Sequence, residues 1–432
     1  MGTRFWKGVV IGLLFTAGTL LLITSCAEPT KRYLGSHYTS SDWASGVRDP
    51  GGTGQFRYGA SQASLDALQV FLTDDKIVTL NIGGLASAHD EAMVAAFMDG
   101  IEADGGAQWK EAVYEKVIAV AALPGSDQVY WQIGNEINSP GYHNTLSAWA
   151  GEPFASARSD SKVIPLYSEY YLAPALEAII TARSEGYTVN TILGSVSNFG
   201  GGTAQSYMEG LMEYQIVGTY APSLAGVYVK DATDIVSYHY AGLNDGEEWE
   251  VLFNSLYTRW PSVKGFWDTE DVAHGMSVDQ GISGATALRM VGDYLDWWIK
   301  TTRSSTDHRL FIYAQDLGPP ETTAEFTMTW LYQYTYNCVP VATDIVAATG
   351  ENLSWSAFGC GKRTIIIIGT RDHRIPGTLD TLVITKPNLT FTSVLFDSTG
   401  PHEDVLDLIN GELATPEELL IFHTILVVGE TF

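Results

Sequence analysis

Glu136 and Glu270 each stand just beyond a short run of residues suited to a buried strand. Gln128-Val-Tyr-Trp-Gln-Ile133 is followed by Gly134-Asn135-Glu136, and Val263-Lys-Gly-Phe-Trp267 by Asp268-Thr269-Glu270. Two more runs end on polar groups of the same kind: 233–238 leads into His239-Tyr240, and 309–314 into Gln315-Asp316. Two carboxylates facing one cavity can divide two tasks. One, held protonated, gives its proton to a leaving oxygen; the other, ionised, attacks carbon or activates water. Cleavage of a glycosidic bond needs that division. Repulsion between the two groups and unequal burial can separate their pKa values.

The same residues have plainer readings. Asn135-Glu136 suits a helix-capping turn, Asp268-Thr-Glu270-Asp271 a solvated acidic loop, and His239 a satisfied core histidine. His239, Glu270 and His274 also admit a metal-dependent hydrolase, although the set has no clear ligand geometry. Tyr142, His143 and Trp149 are aromatic or ring-bearing residues beyond Glu136 and suit either sugar stacking or packing. No Gly-x-Ser-x-Gly motif stands on a strand-to-helix turn, so a serine nucleophile has no support.

The elements that must position these groups alternate. Apolar runs at 76–82, 128–133, 191–196, 233–238, 263–267 and 309–314 read as strands. Helical spacing occupies 64–72, 91–101, 111–122, 167–183, 204–214 and 285–300, with Pro174 in the first turn of its helix or at a kink. Buried strands alternating with helices predict a parallel sheet covered on both faces. The α/β class follows, as a (β/α)₈ barrel over residues 45–335, with a doubly wound sheet as the alternative. No glycine-rich phosphate loop supports the latter. The first strands are poorly marked, with candidates near 32–34 and 46–48. Beyond residue 336 the pattern changes to short strands at 352–358, 363–369, 378–385, 390–396 and 419–428 without a long helix between them. That predicts a small C-terminal β-sandwich over 336–432.

Composition limits the partners. The chain has 432 residues, 45% hydrophobic and 12% aromatic, which is enough for a large core. It carries 24 Lys+Arg against 50 Asp+Glu, a net charge of −26. That balance argues against nucleic acid as a partner, and equally against an anionic membrane surface as the main target. Arg4 and Lys7 precede an apolar stretch over 8–23, which is short of the ~20 residues that span a bilayer, and then Thr24-Ser25-Cys26. This reads as a signal peptide over 1–25. Residues 26–44 would form a tether. Cys338 and Cys360 could form a disulfide or remain buried thiols.

The N-terminal pattern resembles a bacterial lipoprotein signal, which implies lipidation of Cys26 and a place in the cell envelope, on the outer membrane by the Ala27 that follows, or else periplasmic or extracellular. Tyr130-Trp-Gln-Ile-Gly-Asn-Glu136 resembles the fourth strand of clan A glycoside hydrolases, which are retaining enzymes on a (β/α)₈ barrel. The resemblance implies that Glu136 is the acid/base, that Asn135 binds the sugar 2-hydroxyl, and that Glu270, in Phe266-Trp267-Asp-Thr-Glu270, is the nucleophile. Asp234-Ile-Val-Ser-Tyr-His239-Tyr240 resembles strand six, whose His and Tyr line the site. Val47-Arg48-Asp-Pro-Gly-Gly52 resembles the strand-two segment of the α-L-arabinofuranosidase, β-xylosidase and β-glucuronidase families, implying that Arg48 supports the nucleophile. Those families also carry a C-terminal β-sandwich. Trp267 and Gln315 join the candidate substrate-binding residues. The clan's strand-eight Trp is absent from Phe311-Ile-Tyr-Ala-Gln-Asp316, where Tyr313 or Gln315 could substitute. The implied partner is an oligo- or polysaccharide, with no cofactor, no metal and no evident protein partner. A catalytically inactive carbohydrate-binding barrel is the alternative.

Overall fold

The computed structural model describes residues 34–37, 55–59, 65, 68–69, 72, 77–82, 91–138, 160–197, 202–239, 254–271, 307–313, 339–340, 346–360, 363–371, 375–385, 389–397, 400–403, 405–420 and 424–431. The strands β1 (Leu34–His37), β2 (Gln55–Gly59), β3 (Ile77–Asn81), β4 (Val129–Ile133), β5 (Asn190–Val196), β6 (Ile235–His239), β7 (Gly265–Asp271) and β8 (Asp307–Tyr313) pair in sequence order, and β1 closes on β8. Each pairing is parallel. The expected barrel is therefore present. β1 lies in the segment read as a tether, so the barrel begins before residue 45. Its second strand is 55–59, not the segment around Arg48.

Alternation along each strand divides two cores. Leu80 and Ile82, Val129, Trp131 and Ile133, Leu193 and Val196, Val236 and Tyr238, and Phe266 belong to the layer under the helices. Tyr130, Ile192, Ile235 and Trp267 pack together on the other face, inside the barrel.

The helices are α1 (Glu91–Asp104), α2 (Ala107–Ala121), α3 (Asp160–Leu166), α4 (Ala173–Ser184), α5 (Gly202–Met212) and the short α6 (Val229–Ala232). The helical spacing read from 167 onward starts earlier than expected. α3 and α4 are joined by a π-helical segment, Tyr167–Leu172, directly before Pro174. Proline has no N–H to donate, and one widened turn before it absorbs the interruption without ending the helix. The segment buries Tyr167, Tyr171 and Leu172 completely. Glu169, also in it, is almost wholly buried and accepts bonds from Tyr214 Oη and from the backbone N–H groups of Val217, Gly218 and Thr219. A buried carboxylate so fully engaged holds a turn and is not a reactive group.

At the N-terminal end of the strands, Asp234 ties three elements together. Its carboxylate accepts bonds from Arg183 at the end of α4 (2.6 Å), from Thr191 in β5 (N 3.1 Å, Oγ1 2.8 Å) and from Lys264 before β7 (2.6 Å). Burial alone would raise its pKa. The Lys264 and Thr191 bonds and the Arg183 charge outweigh burial and hold it below the usual carboxylate range.

The C-terminal part comprises β9 (Val339–Pro340), β10 (Val346–Thr349), β11 (Leu353–Cys360), β12 (Arg363–Thr370), β13 (Gly377–Leu379), β14 (Thr381–Ile384), β15 (Leu389–Asp397), β16 (Gly400–Glu403), β17 (Leu408–Ile409), β18 (Glu412–Leu413), β19 (Glu417–Leu419) and β20 (Thr424–Thr431). They form a six-stranded sheet in the order β16-β15-β20-β12-β11-β9, a four-stranded sheet β10-β14-β18-β17 and the pair β13-β19. The single strands read at 378–385 and 419–428 are each two strands. Ile366, Ile368, Ile425 and Val427 pack on Leu382 and Ile384 of the smaller sheet. Their neighbours Ile365, Ile367, Leu426 and Val428 belong to the same apolar cluster as the barrel's outer layer. A strand buried on both faces has no polar side, which is why Ile365-Ile366-Ile367-Ile368 runs without a break.

Candidate active site

In a parallel barrel the loops after the strands meet at one rim. β4 delivers Gly134-Asn135-Glu136 there. Gly134 has φ +100°, and a Cβ on it would stand 2.8 Å from Ile137 Cγ2, so the turn out of the strand needs glycine. Glu136 follows with φ +48°, a left-handed backbone that a side-chain-bearing residue adopts at a cost of about 1–3 kcal/mol. Burial holds the Tyr167 hydroxyl well above the ordinary tyrosine pKa, so it stays protonated and donates to the carbonyl of Ile133, the last residue of β4.

β6 delivers His239, which the sequence placed after the strand and which is its last residue. The ring is fully buried. Nδ1 lies 3.3 Å from Glu136 Oε1 and Nε2 lies 3.1 Å from Thr269 Oγ1. With Nδ1 carrying the proton, the imidazole donates to the carboxylate while the threonine hydroxyl donates to Nε2. The Glu136 side chain keeps 29% of its surface exposed, so one carboxylate is braced from inside the barrel and open outside.

β7 runs through Asp271, further than the apolar run suggested. Between Tyr238 and His239 its register against β6 shifts by one residue, so Asp268 pairs with Tyr238 and Glu270 with His239. A bulge of this kind re-aims the residues that follow it. Glu270 is thus placed at the same rim as His239 and Glu136. Asp268, two residues before Glu270, is fully buried at the register of Tyr238, a residue of the outer layer.

Other candidates fare differently. Asn135 sits in the turn beside Glu136, its Oδ1 3.4 Å from Ser195 Oγ. Trp267 is corrected: it has no exposed surface and packs inside the barrel on Tyr130, ring centroids 4.5 Å apart, so it is packing and not a sugar-contacting surface. Arg48, Tyr240, Gln315 and Cys26 lie outside the described residues, as do Tyr142, His143, Trp149, His274 and the apolar stretch 8–23. The arginine on the second strand is Arg57, in register with Thr79 of β3. Among the described residues, no group of three His, Cys, Asp or Glu stands ready to hold a metal, and no helix is long and apolar enough to cross a membrane.

Ser195 was not visible from sequence. It belongs to β5, where the pairing with β6 passes from Leu193–Val236 to Val196–Tyr238 and leaves one extra residue on β5. The bulge sends both Leu193 and Val196 to the outer layer and brings the Ser195 hydroxyl to the Asn135–Glu136 turn. Gly194 is required beside it, because a Cβ there would meet Ile133 O at 2.4 Å and Tyr167 Oη at 2.7 Å.

No protein-family model matches the chain, and no curated protein matches it in sequence. Solved structures do match in fold. The family 51 α-L-arabinofuranosidase AbfB from Bifidobacterium longum superposes with a TM-score of 0.51 at 11% identity, over 94% of this chain and 98% of that one. A GH30 endoxylanase from Clostridium papyrosolvens gives a TM-score of 0.48 at 10% identity, over 93% and 96%. A GH39 enzyme from Xanthomonas axonopodis pv. citri gives 0.48 at 11%, over 94% and 95%. These three are described as a family 51 arabinofuranosidase, a GH30 endoxylanase and a GH39 enzyme, and at these identities the likeness is one of fold.

Proposed function

We propose that the chain is a retaining glycoside hydrolase acting on an oligo- or polysaccharide, with Glu136 as acid/base and Glu270 as nucleophile. The observation that carries the reading is the convergence of the ends of β4, β6 and β7: Glu136 against His239, and Glu270 in register with His239. The solved arabinofuranosidase shows that a chain of this fold can carry glycosidase activity.

In the first step a Glu270 carboxylate oxygen bonds to the anomeric carbon as the glycosidic C–O bond breaks. Glu136, as the acid, gives its proton to the departing oxygen. In the second step Glu136, now a carboxylate, takes a proton from water. The water oxygen bonds to the anomeric carbon, the ester to Glu270 breaks, and Glu270 is regenerated. The His239 bond orients Glu136. Asn135 supplies an amide for the 2-hydroxyl, and Arg48 takes the supporting role that the resemblance implies. The N-terminal pattern supports lipid attachment at Cys26 and an envelope location. Loss of labelled-lipid incorporation in Cys26→Ser checks that part.

The test is turnover of the purified protein on a panel of aryl glycosides and polysaccharides, beside Glu136→Gln and Glu270→Gln. The expected result is sugar release that falls by ~10²-fold or more in each variant, with retained configuration in the first-formed product. Inversion would place the carboxylates about 6.5–9.5 Å apart instead of about 5–5.5 Å and refute the two assigned roles. Glycan binding equal in all three proteins without turnover establishes the binding-protein alternative.

A further inference from the structure

We propose that Ser195 is the positioning residue of the acid/base turn, fixing both the backbone of Glu136 and the orientation of the Asn135 amide. The inference rests on the reading of Glu136 as acid/base.

The argument starts from the count of bonds a hydroxyl can make, one as donor and two as acceptor. Ser195 Oγ accepts from Gln132 Nε2 (3.2 Å) and from the Glu136 N–H (3.2 Å). Both acceptor positions are thereby taken. The remaining group is the hydroxyl proton, and Asn135 Oδ1 stands 3.4 Å away to receive it. Only an oxygen can accept there, so the amide is oriented with Oδ1 toward Ser195 and the Nδ2 donors on the opposite side.

Ser195 also acts through its main chain. Its carbonyl accepts the Ile137 N–H at 2.9 Å. Glu136 is thus held at its own N–H by the serine hydroxyl and at the next N–H by the serine carbonyl. A residue at φ +48° persists only where its surroundings determine it, and these two bonds are the determinants in view. Gln132, which holds the hydroxyl from the other side, also donates to Gly134 O at 3.0 Å, closing the network onto the same turn. Ser195 is fully buried and reaches this place only because of the β5 bulge. Its bonds go to the backbone of the turn and to the Asn135 amide, so its effect is on placement.

The experiment compares Ser195→Ala with wild type on two glycosides of the sugar found by the panel, one with an alkyl leaving group and one with dinitrophenyl. The alkyl alcohol cannot leave without a proton; dinitrophenolate can. A misplaced acid therefore shows as a leaving-group-dependent loss in kcat/KM, which reports the first step and not the later base-assisted hydrolysis. The expected loss is at least ~10-fold greater on the alkyl glycoside, with the difference restored by Ser195→Thr, which keeps the hydroxyl. An equal loss on both substrates, or none, overturns the proposal. Glu136→Gln, run alongside, must show the same dependence on leaving group. If it does not, the acid/base assignment has failed and not the positioning one. Amide exchange of Glu136 by NMR judges Ser195 without turnover. Slow exchange in wild type that becomes fast in Ser195→Ala supports the clamp, and fast exchange in wild type overturns it.

Discussion

Adding one methyl group at Gly194 would place a Cβ 2.4 Å from the carbonyl oxygen of Ile133 and 2.7 Å from the hydroxyl oxygen of Tyr167. An unforced C···O approach is about 3.3 Å or more, so β4 and β5 must part by roughly 0.9 Å in Gly194→Ala. Overpacking of that kind costs about 1–3 kcal/mol. The bond from Tyr167 to Ile133 crosses the same gap, and its loss adds about 1 kcal/mol. The expected destabilisation is about 2–4 kcal/mol, a fall in Tm of ~4–8 °C at about 2 °C per kcal/mol for a protein of this size. The displaced backbone carries Asn135 and Glu136, and a shift near 1 Å costs ~10²-fold in rate where a catalytic group depends on placement. Gly100→Ala is the matched control. Gly100 lies in α1 with nothing within 4 Å of an added Cβ, and alanine there gains up to ~1 kcal/mol of helix propensity. Thermal melting of the two variants, with kcat on the best substrate, reads opposite signs from the same chemical change. Gly194→Ala melting within ~1 °C of wild type with unchanged kcat would refute both the close approach and its link to the acid/base turn.

Asp234→Asn should lower stability by about 2 kcal/mol at neutral pH, discounted for the exposed Lys264 arm. Because the folded pKa of Asp234 lies below its ordinary 3.8, that contribution is present above the ordinary value and is lost as pH falls through the folded one. The gap between wild type and variant in urea midpoints should therefore close on acidification; a constant gap contradicts the network. Cys338 and Cys360 are expected to pair as a disulfide in the oxidising compartment that the N-terminal pattern implies. In Cys26→Ser, no thiol should titrate in denaturant until reductant is added, after which two should. A bridge closing that loop contributes ~3 kcal/mol; two free thiols at the outset refute the pairing.

The barrel was legible where its strands are buried on both faces. Val129–Ile133 and Gly265–Trp267 are apolar because both faces of a barrel strand are covered, and Gly134 marks the turn that follows. β1, Leu-Gly-Ser-His, is too short and mixed to carry a period, and it was absorbed into a tether. His239 and Glu270 were read as lying beyond their strands because polar residues end an apolar run, whereas hydrogen bonding carries both strands through them. The register shift that sets Glu270 against His239 is a two-strand property and has no mark in either strand alone. Ser195 was hidden for the same reason: Thr-Ile-Leu-Gly-Ser-Val alternates plausibly without a bulge, and only pairing with β6 shows the extra residue. The π segment was obscured because Tyr167–Leu172 keeps the composition of a helix while widening its turn.

The six-stranded sheet is a party wall. Ile366 and Ile368 face one room and Ile365 and Ile367 the other, so neither side owns it. Excising the chain at residue 336 would strip the barrel of part of its lining and leave an apolar scar that water must cover. Transplanting the C-terminal part onto another barrel would bring an apolar face with no matching surface to receive it. The C-terminal sheets are therefore not a portable module but masonry common to both halves, and selection on one half constrains the other.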